Sequence, residues 1–135
     1  MIILFNKPFN VLSQFTDNNI QSHERNNLSN YISISNVYPA GRLDKDSEGL
    51  LILTDQGYLQ SRISDPKYKM EKTYWVQVEG TVTEGSLKKL STGVMLKDGM
   101  TSKAKVRKID QPKQLWSRIP PIRERKSIPV QWLEI

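Results

Sequence analysis

The chain has 135 residues, 37% hydrophobic and 25% charged, the balance of an ordinary soluble domain rather than a disordered or membrane-spanning chain. With no cysteine and a single histidine, His23, it has neither a disulfide framework nor the donors for a structural metal site. The net charge of +6 is one-sided: residues 1–70 hold seven basic and seven acidic side chains, residues 71–135 thirteen and seven, so the second half carries the whole excess.

Ile2 to Phe5 is an apolar run of strand length, stopped by Asn6-Lys7-Pro8 and too short for a secretory signal. No stretch reaches the ~20 apolar residues of a membrane span, so the expected location is cytoplasmic. Val11 to Phe15 predicts a second strand. Residues 16–36, rich in Asn, Ser and Asp, predict irregular structure with one short helix over Ser22 to Ile32. Leu50 to Thr54 reads as a strand, and Gln56 to Ile63 as a short helix closed by Asp65-Pro66. Lys72 to Glu79 (KTYWVQVE) is the clearest strand, with Lys72, Tyr74, Val76 and Val78 on one face. Thr83 to Thr92 predicts a helix with Thr83 as N-cap and Gly93 as stop. Val94 to Leu96 and Thr101 to Ile109 predict strands across a turn at Lys97-Asp98-Gly99. Pro112 to Pro129 is basic and broken by prolines, a loop, and Ile128 to Ile135 resumes a strand. Many strands with a few flanking helices, and no regular βαβ alternation, predict an α+β fold around a mixed, largely antiparallel sheet.

Residues 41–55 read GRLDKDSEGLLILTD. Arg42, Asp44, Lys45, Asp46 and Glu48 form a knot of opposed charges, set against an apolar run that reads as buried on both faces. If residues 41–44 are extended, Arg42 and Asp44 point to the same side. A carboxylate beside apolar packing needs a cation or hydrogen bonds to stay charged. So supplied, it can serve as a nucleophile or base. The same spacing fits a purely structural turn, in which Asp44, Asp46 and Ser47 close a bend on Gly49 and Arg42 is an ion-pair partner. Tyr74 has two readings as well: a core aromatic, or, beside Lys72, a platform on which a base stacks. A Ser-His-Asp arrangement would have to use His23, which lies in a polar stretch. With neither a Walker A loop nor a GxGxxG after a strand, nothing points to a nucleotide cofactor. Between Lys97 and Lys126, ten basic residues face three acidic ones, a stripe suited to a polyanion. Lys103, Lys105, Arg107, Arg123, Arg125 and Lys126 are its candidate phosphate contacts.

Taken in order, four segments resemble a known family: NKP with VLSQ (Asn6 to Gln14), GRLDKDSEGLLILTDQG (Gly41 to Gly57), KTYWVQVEG (Lys72 to Gly80) and GVMLKDGMTSKAKVRKI (Gly93 to Ile109). They are similar to the RsuA-type branch of the RNA pseudouridine synthases. Leu115-Trp116, Arg118 and PPIRERKSIP (Pro120 to Pro129) resemble the group that acts on the large ribosomal subunit, the synthase E group. The resemblance implies the synthase catalytic fold over residues 1–135 as a single domain, without the S4-like RNA-binding domain common in this branch. It implies an isomerase, free of metal and cofactor, that converts a uridine of 23S ribosomal RNA to pseudouridine. Asp44 matches the catalytic aspartate of GRLD, which attacks C1′ of the ribose or C6 of the uracil, or assists a glycal route. Arg42 matches the arginine associated with the flipped-out nucleotide, and Tyr74, two residues after Lys72 in the KxY motif, the tyrosine that lies against the target base. The implied partner is ribosomal RNA or a ribosomal precursor, and the implied state a monomer. The family pattern runs on past residue 135 into a GRNRQVRRM-like segment that supplies a basic partner for the aspartate, so a C-terminal truncation is expected. The alternative this leaves is a catalytically silent RNA-binding module.

Overall fold

Strand β1 (Ile2–Lys7) turns Ile3, Phe5 and Lys7 inward and leaves Ile2, Leu4 and Asn6 outside, the two-residue period of a strand covered on one face. The structure, a computed structural model, describes residues 1–17, 26–123 and 125–135. It divides into two compact units, Met1–Glu71 and Lys72–Ile135.

In the first unit, β2 (Tyr38–Pro39) and β1 flank β3 (Gly49–Thr54), all antiparallel, with Ile2 opposite Thr54 and Lys7 opposite Gly49. Leu51 and Leu53 face a core of Leu28, Ile32 and Val37, with Ile3, Phe5, Phe15 and Leu43 packed around it. Helix α1 (Gly57–Ser64) follows, and its Gln60 Nε2 donates to the Pro39 carbonyl at 3.0 Å. The apolar run of β3 is therefore not buried on both faces as its composition suggests. Leu50 is 62% exposed and stands opposite Asn6 on the outer face, because only one side of this sheet is covered by a second layer.

The strand expected at Val11 to Phe15 is a single bridge from Leu12 to Asn27. Asn10, at φ 64°, turns the chain in the left-handed region immediately before it. Of the helix expected over Ser22 to Ile32, residues 22–25, His23 among them, lie outside the described residues. The remainder forms one 3₁₀ turn, Leu28–Asn30, capped by Asn27.

In the second unit β4 (Trp75–Glu79) leads to α2 (Glu84–Thr92), whose first turn is capped by Thr83 Oγ1 accepting from the Ser86 N–H at 3.1 Å. Gly93 ends the helix at φ +111°, and a Cβ there would stand 2.7 Å from the Thr101 carbonyl oxygen, so no other residue fits. β5 (Met95–Leu96) and β6 (Gly99–Met100) form a hairpin over Lys97-Asp98. The strand expected over Thr101 to Ile109 survives only as β7 (Arg107–Ile109). Residues 101–104 bond back instead, Thr101 to the Val94 carbonyl and Ala104 to that of Ser91. β8 (Val130–Glu134) lies between β4 and β7, antiparallel to both, with Trp132 and Leu133 buried. The fold is α+β with antiparallel sheets and two α-helices among the described residues. No helix among them is long and apolar enough to cross a membrane.

Candidate active site

The charged knot between β2 and β3 is anchored from beneath at three points. Gly41 and Gly49 bracket it at φ +105° and +118°, where side chains are strained. Leu43 packs on the core, and Ser13 grips its main chain twice: Ser13 Oγ accepts from the Leu43 N–H at 3.1 Å and donates to the Leu43 carbonyl at 2.8 Å. Arg42 Nη2 donates to Gln14 Oε1 at 2.6 Å. Lys7, fully buried at the end of β1, donates from Nζ to the carbonyls of Val11 (2.8 Å), Pro8 (3.0 Å) and Lys45 (3.3 Å). Burial pushes its ammonium below the ordinary lysine range, and the carboxylates of Glu48, Asp46 and Asp44 pull the other way.

Asp44 is exposed. Its main-chain carbonyl accepts from the Ser47 N–H at 3.1 Å, so residues 44–47 do form a turn. That turn is closed by the backbone. Among the described residues no hydrogen bond or ion pair engages the Asp44 carboxylate, and Arg42, spent on Gln14, is not its ion-pair partner. The structural reading therefore accounts for the bend and leaves the side chain over.

In the second unit Tyr74 is 47% exposed, which removes the core reading for it. Its N–H and carbonyl exchange hydrogen bonds with Ile135 at 2.8 and 3.0 Å, prolonging the ladder of β4 and β8 by one pair. Lys72, two residues earlier, is exposed. The basic stripe is partly committed. Arg107 Nε meets Glu134 Oε1 at 2.7 Å, and Trp75 Nε1 donates to Glu134 Oε2 at 3.2 Å. These bonds, that from Arg107 first, hold the Glu134 carboxyl below the usual carboxylate range and raise Arg107 further. Arg125 Nη1 lies 3.4 Å from Glu79 Oε2. Lys103, Lys105, Arg123 and Lys126 are exposed. Among the described residues no ion pair engages Lys103, Arg123 or Lys126. A cleft of about 490 Å³ runs beside β8, with Lys108, Arg125 and Lys126 in its wall and Trp132 among its apolar contacts.

The structure thus brings Arg42 and Asp44 together on one pinned loop, and places Lys72, Tyr74 and the stripe in the other unit. Sequence reasoning passed over Lys7, Ser13 and Gln14 as site residues. Lys7 did carry a signal: it continues the inward alternation of Ile3 and Phe5, and a lysine on the core side must find hydrogen-bond acceptors. Ser13 and Gln14 stand in the VLSQ segment that carries the family resemblance, but no spacing reveals their contacts, since their partners lie 30 and 28 residues along the chain.

Comparison with known proteins agrees with these motifs. Residues 1–134 match the family described as RNA pseudouridylate synthase. The chain is 54% identical over 134 residues to the ribosomal large subunit pseudouridine synthase E of Vibrio parahaemolyticus, covering 99% of this chain and 54% of that protein. It is 50% identical over 135 residues to the protein of the same name from Xanthomonas axonopodis, covering all of this chain and 70% of the relative. A crystal structure of a pseudouridylate synthase superposes with a TM-score of 0.69 at 25% identity, over 99% of this chain and 50% of that one. The chain spans about half the length of the Vibrio relative and of that solved structure. Coverage this complete, with the motifs in order, leaves one conclusion: the chain belongs to the RNA pseudouridylate synthase family.

Proposed function

We propose that the protein isomerises a uridine of 23S ribosomal RNA to pseudouridine, with Asp44 as its catalytic carboxylate. The observation that carries this is an exposed carboxylate left unengaged on a loop whose neighbouring residues are pinned at Ser13, Gln14 and Lys7. A side chain serving only the turn would be spent on the turn. In the reaction the C1′–N1 bond breaks, the uracil turns, and a C1′–C5 bond forms. The hydrogen on C5 leaves as a proton and N1 gains one, so no oxidant, metal or cofactor is required. Asp44 acts at C1′, at C6, or in a glycal route.

None of these atoms is reachable inside a stacked helix, so the nucleotide is extruded at a cost of a few kcal/mol. An aromatic face such as that of Tyr74 returns about 1–3 kcal/mol by stacking on a base of the RNA. Arg42, exposed and hydrogen-bonded to Gln14, is suited to filling the vacated place in the stack. Lys72 and the stripe at Lys103, Lys105, Arg123 and Lys126 hold phosphates without reading sequence. Arg107 and Arg125, shared with carboxylates, add less than Lys103, Arg123 and Lys126. The names of the relatives support the ribosomal target, and the same reading makes the protein a cytoplasmic monomer.

The test is to incubate the full-length protein with ribosomal RNA tritiated at uracil C5. Stoichiometric release of tritium into water is expected. Tight RNA binding without release would refute isomerisation and leave a silent RNA-binding module.

A further inference from the structure

We infer that α1 and the 3₁₀ turn after it, Pro66–Tyr68, form a second contact surface for substrate RNA. Tyr58, Arg62 and Tyr68 make a platform there for unpaired nucleotides beside the target. This requires the RNA partner proposed above and not its chemistry. Tyr58 and Arg62 stand four apart on the helix and so share a face. Arg62 Nη1 donates to Tyr58 Oη at 2.8 Å. The guanidinium carbon lies 5.5 Å from the centre of the Tyr58 ring and 5.2 Å from that of Tyr68. Lys67 Nζ stands 4.9 Å from the Tyr68 ring. Folded proteins show roughly one strong cation–ring pair per 70–80 residues, so this grouping between residues 58 and 68 is dense.

Bracing of the turn against α1 explains these contacts but leaves two features over. Tyr58 is 65% exposed and Tyr68 40%, so both rings keep area open to a ligand. Between residues 57 and 70 the one acid, Asp65, faces three bases, Arg62, Lys67 and Lys69. Asp65 is spent within the turn: Oδ1 accepts from the Lys67 N–H at 3.0 Å and Oδ2 meets Lys67 Nζ at 3.1 Å. Arg62 and Lys69 are exposed, and among the described residues no ion pair engages either. Aromatic faces beside unmatched cations fit single-stranded RNA, a base stacking on the ring while its phosphate meets the cation. The bases of a closed duplex are already stacked and offer no such face. Everting the target uridine breaks the stack on either side of it and so supplies them. A Cβ built on Gly41 would lie 4.0 Å from the Ser64 Cβ, so the end of α1 abuts the start of the Asp44 loop. The Arg62 contacts hold the rings before RNA arrives, so less freedom is lost on binding.

Binding of the full-length protein to a short oligocytidylate, single-stranded and free of uridine, tests this without turnover. Tyr58→Leu should weaken binding about tenfold, while Tyr58→Phe, which keeps the ring, should stay within about twofold of wild type. Both variants should bind a fully paired RNA duplex within about twofold of wild type. Arg62→Met should lower the slope of log K against log salt for oligocytidylate by about 0.7. Wild-type affinity for oligocytidylate in Tyr58→Leu would overturn the platform, whatever happens to Tm, since the rings would then only brace the helix. A loss equal on duplex and single strand would overturn it too, as would Tyr58→Phe binding as weakly as Tyr58→Leu. Should Tyr58→Leu not fold, Tyr68→Leu and Tyr68→Phe are read by the same criteria. The function fails separately. A wild-type protein that shows this binding pattern yet releases no tritium from ribosomal RNA refutes isomerisation and leaves the platform standing.

Discussion

Ser13 is a small side chain with a large assignment, since one hydroxyl serves both the N–H and the carbonyl of Leu43. Ser13→Ala leaves both groups unpaired in a part-buried place, which costs about 1–3 kcal/mol. Urea denaturation should show that loss with an unchanged m value. A loss below about 0.5 kcal/mol would mean that water replaces the hydroxyl and that Leu43 is held by packing alone. At this level the sequence was half legible. The pattern of charges singles out Asp44 and Arg42 as residues to watch, because an acid and a base two apart beside an apolar run demand an explanation. Their contacts were not legible: Arg42 turned to Gln14 rather than to Asp44, and no local spacing reveals a partner 28 residues back.

Glu134 ties three strands, accepting from Trp75 on β4 and Arg107 on β7 while standing on β8. The native fold prefers it ionised, so its contribution is present above the ordinary glutamate value of about 4.3 and is lost as pH falls through the lowered native one. Thermal melts between about pH 3 and 6 should therefore show Tm declining with acid, and Glu134→Gln should flatten part of that decline. The effect is modest because the pair is at the surface. Identical slopes for variant and wild type would show that the triad contributes nothing to the sheet.

The elements themselves were well marked where local chemistry decides them. Thr83 capped α2 and Gly93 stopped it, and of the strand expected over Lys72 to Glu79 the structure keeps β4, Trp75–Glu79, with one further backbone pair at Tyr74. Two misreadings share a cause. Four apolar residues in β3 do not tell one covered face from two, and residues 101–106 have strand-like composition, but Thr101 bonds to Val94 just after α2 and Ala104 to Ser91 within it.

Across the chain as a whole, the excess of charge is legible as a stripe suited to a polyanion, while its particular contacts are not. Among the candidate phosphate ligands, Arg107 and Arg125 are shared with carboxylates, which the sequence could not reveal because Glu134 and Glu79 are brought to them only by the sheet. Binding of a ribosomal RNA fragment, followed by fluorescence anisotropy over a salt series, should reflect this. Lys103→Ala, Arg123→Ala and Lys126→Ala should each reduce the slope of log K against log salt by about 0.7–0.9. Arg107→Ala should change it less. Equal effects from all four would mean that Glu134 releases Arg107 to the RNA.

What the whole reading asks of Asp44 is chemistry, not support of the bend, and one substitution separates the two. Asp44→Asn keeps the size of the side chain and the carbonyl that accepts from Ser47, and removes only the negative charge. In the full-length protein it should bind ribosomal RNA and melt as wild type does, while release of C5 tritium disappears. Release at the wild-type rate would contradict the account outright.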